Sequence, residues 1–456
     1  MTGIRHRYEV DAVNGAILPQ LLRFALPLAL SGMLQLLYNT ADTAIVGRFV
    51  GADALAAVGS NGPIINLMVN LFVGLSVGTS VATARSYGAR DVSRMQKTVH
   101  TSMLVSVLAG LILMVLGIFT TRPMLEMMAT PPEILPLAQL YLSIIYAGMP
   151  ASMIYNFGAS ILRAAGDTKR PMYFLALSGL LNLLLNILFV VGFKMEVAGV
   201  ALATIISQYV SAGLVVFCLV HTDGPYRLHP RHIRLDMEVL RQILHIGVPA
   251  GMQEVLFAIS KLLIQSSINS FGSVAMAGNA AANNLEGFIH LGQSSITQGA
   301  VTFAGQNIGA RRYERVHRIC LTCILATITV STVVGWFVYL MGEPLLGIYN
   351  ADTEVIRYGM IRLGIFATTY VFNGILEVLI GCVRSMGASL MPTVASLLGG
   401  CVFRIVWIYT VFAKYRTLRI LYISYPVAWV LTGVAMAIGY LVLHRRMVRR
   451  ACTAQI

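Results

Sequence analysis

The chain has 456 residues, of which 57% are hydrophobic and 11% charged, less than half the roughly 25% charge typical of soluble domains. Too few polar residues remain to cover a soluble protein of this size, which excludes a cytosolic enzyme, and the same excess of apolar residues excludes a disordered chain. The net charge of +14 sits mostly in short connections between apolar segments, so it points to a membrane topology and not to a nucleic-acid partner.

In chain order, apolar runs long enough for α-helical spans fall at about 17–46, 54–84, 98–120, 134–161, 172–193, 198–220, 239–270, 274–305, 317–341, 354–382, 392–413 and 421–443. These are twelve spans, and the runs at 54–84 and 274–305 are long enough to tilt or bend. The first run reads as a true span, not as a cleavable signal peptide. The six cysteines (Cys218, Cys320, Cys323, Cys382, Cys401 and Cys452) lie in or beside apolar runs or in the basic tail and form no secreted-type disulfide framework. With the N-terminus inside, 23 of the 33 Lys and Arg residues fall on the inner side and 8 on the outer. Both termini are therefore expected in the cytoplasm, as in an inner-membrane protein. The loop Lys414–Arg419 is the one discordant connection.

The chain also repeats itself. Pro27 pairs with Pro249 at an offset of 222, Gly88-Ala89-Arg90 with Gly309-Ala310-Arg311 at 221, and Arg163, Gly166 and Pro171 with Arg384, Gly387 and Pro392 at 221. The expected architecture is an all-α integral membrane protein of twelve transmembrane helices. They form two parallel six-helix bundles related by a pseudo-two-fold axis along the membrane normal. Residues 1–220 form the N-lobe, 221–238 a cytoplasmic linker and 239–456 the C-lobe with its basic tail. The cavity of such an architecture lies between or within the halves, and rocking them alternates access.

Ionisable groups inside spans mark functional sites by default. Asp42 is one, six residues before Arg48 and so about 9 Å of helix from the outer boundary. Asn182 and Asn186 share one face of span five, Thr204 and Gln208 lie on span six, and Gln35, Tyr38 and Asn39 precede Asp42. Together with Asn156 of span four they outline a polar cavity around Asp42. Pro27, fifteen residues before Asp42, is the candidate hinge.

At these residues the chain resembles the multidrug and toxic compound extrusion (MATE) family. The resemblance rests on Pro27 … Asn39-x-x-Asp42-x-x-x-x-Gly47-Arg48 … Leu55-Ala56-Ala57, on Arg163-x-x-Gly166-Asp167-Thr168-Lys169 … Pro171, on Ala203-Thr204-x-x-Ser207-Gln208, and on Gly305-Gln306-Asn307-x-Gly309-Ala310. It implies a secondary antiporter that expels lipophilic, mainly cationic compounds in exchange for H⁺ or Na⁺, a monomer among membrane lipids with no cofactor beyond the coupling ion. Asp42 matches the acidic coupling residue of the first helix, Asn182 and Thr204 match polar members of the N-lobe site, and Gln35 and Tyr141 match residues lining its pocket. Asn186 departs from the pattern, since many relatives have an aspartate there. A neutral carbonyl weakens a Na⁺ site that wants hard oxygen ligands, which favours H⁺.

The second half has charges of its own: Glu254 and Lys261 on span seven, Glu286 and His290 one turn apart on span eight, Glu377 on span ten and Arg404 on span eleven. Buried charges should pair, and three carboxylates against two cations leave one carboxylate over, to be protonated or to attract a cationic substrate. The alternative function is a lipid-linked glycan flippase of the same superfold, which would need several cations in its cavity for the pyrophosphate. No H-E-x-x-H or G-x-S-x-G motif points to an intramembrane enzyme.

Overall fold

Six of the eight left-handed residues among the described ones recur at one interval along the chain. Gly51 and Gly272 (φ 122° and 91°), Arg90 and Arg311 (55° and 57°), and Gly166 and Gly387 (103° and 83°) are all 221 positions apart. Such angles favour glycine and end a helix sharply, so the repeat read from sequence landmarks is also a repeat of chain reversals. The computed structural model describes residues 8–128 and 130–453, apart from the side chains at 52, 53, 55–57, 59–64, 66, 67 and 450–452. Arg5, Arg7 and the side chains of Leu55, Ala56, Ala57 and Cys452 therefore lie outside the described residues.

Between the reversals the chain is helical: α1 (Ile17–Phe49), α2 (Ala52–Gly88), α3 (Val92–Met127), α4 (Leu135–Ala147), α5 (Met149–Ala165), α6 (Lys169–Asn186) and α7 (Glu196–His221) in the first half. The second half follows with α8 (Met237–Asn269), α9 (Ser273–Gly309), α10 (Tyr313–Leu340), α11 (Gly342–Tyr349), α12 (Thr353–Ser385), α13 (Leu390–Ser396), α14 (Phe403–Trp407) and α15 (Leu418–Thr453). α6 continues as a π-helical turn at Ile187–Gly192, and π-helical turns at Leu397–Val402 and Ile408–Phe412 flank α14. Taking α4 with α5 and α13 with α14 gives twelve spanning segments, and no strand occurs among the described residues. Among the described residues, nine helices are long and apolar enough to cross a membrane, and the pair α4–α5, bent by 45°, makes a tenth. The bend falls at Gly148 and Pro150, where proline removes a backbone N–H. The two runs long enough to tilt or bend, α2 and α9, are continuous helices of 37 residues each.

The chain folds as two compact units, one of residues 1–10 and 30–251, the other of residues 11–29 and 252–456. This cut differs from a division into 1–220 and 239–456, because each half lends the start of its first helix to the other unit. In the first unit the borrowed start of α8 crosses α2 at glycines. A methyl group at Gly74 would collide with the Gly251 backbone, and one at Gly78 with the Ile243 carbonyl. Gly74-x-x-x-Gly78 faces Gly247-x-x-x-Gly251, the small-residue spacing that lets membrane helices touch backbone to backbone. In the second unit the borrowed start of α1 packs on α9, with Leu21 over Gly299 and Phe24 edge-on to Phe303 at 5.8 Å.

The linker is ordered in the first unit. His229 donates its backbone N–H to His100 Nε2 (3.0 Å), and Asp236 donates its own to Thr101 Oγ1 (3.0 Å). Asp236 pairs with Lys97 at 3.1 Å and caps α8 by accepting the N–H groups of Glu238 and Val239.

Candidate functional site

Three helices of the first unit bring together the polar residues that hydropathy disfavours. Asn186 ends the α-helical part of α6 and is fully buried. Its Nδ2 donates to Asp42 Oδ1 on α1 at 2.5 Å and to Asn182 Oδ1, one turn back, at 3.2 Å. Asn182 Nδ2 reaches Thr204 Oγ1 on α7 at 3.4 Å, and that hydroxyl donates to the Val200 carbonyl at 2.9 Å. The result is a line from carboxylate to amide to amide to hydroxyl, with one charge at its end. Tyr141, on α4, lies within electrostatic range of Asp42. Asn186 Oδ1 and Gln208 Oε1, which faces Gly148 at the α4–α5 bend, are buried and accept no hydrogen bond among the described residues.

The other residues expected around Asp42 stand outside this hydrogen-bonded line. Tyr38 donates its hydroxyl to the Ala176 carbonyl at 3.0 Å and lays its ring on Gly179, so it joins α1 to α6. Asn156 donates to the Ser152 carbonyl of its own helix at 2.8 Å. Gln35 and Asn39 are exposed and take no part in the hydrogen-bonded line from Asp42 to Thr204.

In the second unit the expected charge balance is overturned. Glu286 does not pair with Lys261 or Arg404. It receives Arg362 as a fork, at 2.6 and 2.8 Å. Arg362, one of the eight cations counted from sequence on the outer side, is only 5% exposed. It also donates to Asn279 and to Asn283, and stacks under the rings of Phe366 and Tyr422. Arg384 stands within electrostatic range of Glu254 and Glu377 and donates to Gln253 Oε1 at 2.9 Å. With these two arginines counted, cations outnumber carboxylates. Glu254 and His290 are exposed, and Lys261 lies in the field of Glu254, Glu377 and His290. None of these makes an ion pair within 4 Å among the described residues.

The sequence profile of the MatE family matches residues 27–188 and again 249–410. The chain belongs to the MatE family. The two matches start on Pro27 and Pro249, so the profile itself sees the internal repeat. Among curated relatives, the MatE chain is 30% identical to "Probable multidrug resistance protein YpnP" of Bacillus subtilis, over 86% of this chain and 88% of that one. It is 27% identical to "Probable multidrug resistance protein YoeA" of the same organism, over 89% of each. A solved structure described as "Crystal structure of MATE in the bent conformation" superposes with a TM-score of 0.88 at 23% identity, covering 98% of both chains. The protein is thus a multi-pass membrane transporter of the MATE fold.

Sequence reasoning missed Arg362, Asn279 and Tyr422, which surround Glu286. The available signal was position, because Arg362 stands nine residues past the start of α12, too deep for a connection.

Proposed function

We propose that this transporter is a proton-coupled multidrug antiporter that exports lipophilic, mainly cationic compounds by alternating access. The observation that carries the reading is the Asp42–Asn186 contact: one carboxylate, in a membrane-spanning helix, at the end of a line of neutral amides and hydroxyls. A single anionic oxygen ligand in such a set is a poor match for Na⁺, which wants several hard oxygens; a proton needs only the carboxylate. Relatives described as multidrug resistance proteins support the substrate class. In this reading both termini are cytoplasmic and the protein works as a monomer in the cell membrane, without a cofactor. The carboxylate takes its proton from outside and releases it to the cytoplasm, and the cationic compound is favoured while Asp42 is ionised. Neutralising the charge removes that attraction at the moment of export.

The test is dye efflux in inverted membrane vesicles energised by a pH gradient alone or by a Na⁺ gradient alone. Transport under the pH gradient is expected. Transport only under the Na⁺ gradient would overturn the choice of ion, and transport under neither would overturn antiport.

A further inference from the structure

The internal repeat gives the Asp42 site a counterpart in the second unit, and the counterpart has the opposite charge. At the offset of 222 that relates α1 to α8, Tyr38 becomes Ser260 and Asp42 becomes Ile264; at 221, Gly179 becomes Gly400 and Thr204 becomes Tyr425. The contacts are kept. Tyr38 seats on Gly179 in one unit, and Ser260 Oγ donates to the Gly400 carbonyl at 2.9 Å in the other. Asn182, which meets Thr204 in the first unit, is replaced by Arg404, which meets Tyr425 with its guanidinium 4.1 Å from the ring centre. Arg404 is one position beyond the strict repeat. The π-helical turn Leu397–Val402, placed just before it, inserts the extra residue that rotates it into register.

Arg404 is 5% exposed, Ile264 1% and Ser260 1%. Its Nη1 donates to Ser260 Oγ at 3.2 Å, but its Nε is buried and has no acceptor among the described residues. No carboxylate lies within 4 Å of it there, and the titratable groups that bear on it are Tyr425 and Cys401. The contrast with Arg362 is sharp: in the same unit that arginine has a forked carboxylate, two asparagines and two rings. A buried guanidinium with an aromatic face on one side still lacks its countercharge.

We propose that Arg404, with Ser260 behind it and Tyr425 against its face, binds a small monovalent anion through its Nε edge, either a halide or a carboxylate. The site is separate from Asp42, and its test reads binding, so it stands or falls independently of the proton-coupled reading. The purified full-length protein in detergent is melted in sodium gluconate, then with chloride, bromide or acetate added at constant ionic strength. Wild type should show a saturable rise in melting temperature, which Arg404→Gln removes. A response to chloride and bromide identifies a halide site; a response to acetate alone identifies a carboxylate site. The absence of a saturable response to either class in wild type, or an equal response in Arg404→Gln, overturns the proposal. If Arg404→Gln does not accumulate, the wild-type protein decides. ³⁵Cl line broadening displaced by bromide or acetate supports the site, and a line unaffected by the protein together with no thermal response to acetate sinks it.

Discussion

Asn186 gives its amide N–H to Asp42 at 2.5 Å while its own carbonyl oxygen, fully buried, accepts nothing among the described residues. The amide is therefore oriented as a donor toward a carboxylate oxygen, the arrangement that an ionised Asp42, which can only accept, requires. Asp42→Asn should abolish coupled dye efflux while leaving membrane levels near wild type, since the new side chain has the same shape and carries no charge. Efflux against a gradient at the wild-type rate in this variant would make Asp42 structural.

Asn186→Asp sets two carboxylates at hydrogen-bond distance, an arrangement that holds either a shared proton or a metal cation between them. We expect this variant to gain efflux driven by a Na⁺ gradient alone, measured in the same vesicles. Efflux that stays blind to Na⁺ would mean that Asn186 is not what disfavours the metal ion.

Glu286 and Glu377 should respond differently to the same change. Glu286→Gln orphans the buried Arg362 and should cost about 3–5 kcal/mol, the range for a broken buried pair, read as a lower melting temperature. Glu377 has no ion pair within 4 Å among the described residues, so Glu377→Gln should keep its melting temperature. Loss of transport without loss of stability in Glu377→Gln would mark a second coupling group; equal destabilisation in both variants would show that Arg384 depends on Glu377.

The glycine crossing of α2 and α8 gives a prediction that does not depend on transport. Gly74→Val forces side-chain atoms into the Gly251 backbone, and overpacking of this kind costs about 1–3 kcal/mol. Gly213→Ala, in α7 with open space around it, should be neutral or stabilising by about 0.5–1 kcal/mol. Equal melting temperatures for the two variants would argue that the crossing is loose.

Sequence made the spans and the repeat legible, because hydropathy and the 221-residue register are one-dimensional signals. Asp42, Asn182, Asn186 and Thr204 were legible too, since a polar residue in a span is conspicuous and two of them share a helix face. Arg362 was misread because it stands in the first third of its apolar run, within reach of the outer boundary, where a snorkelling arginine and a buried one look alike. The exchange of helix starts between units was hidden for another reason. Gly247-x-x-x-Gly251 announces a close approach, but nothing in the spacing says that its partner is α2.

That exchange sharpens the role of Pro27. The chain passes from one compact unit to the other between Ala29 and Leu30, and again between Gly251 and Met252. Pro27 and Pro249 precede these two crossings by the same interval, each inside a continuous helix. A proline at position 27 cannot bond the Arg23 carbonyl, and its ring crowds that carbonyl, so the helix is weakened by about 3 kcal/mol where it must belong to both bodies. If the two units move during transport, α1 and α8 have to bend at these places, and the missing bond lowers the cost of bending. Pro27→Ala restores the bond and should leave the protein folded, with a melting temperature equal to or above wild type, while dye efflux slows. Pro249→Ala should act in the same direction through α8. Faster or unchanged efflux in well-expressed forms of both variants would show that the helices do not flex at the crossings, and the prolines would then serve packing alone.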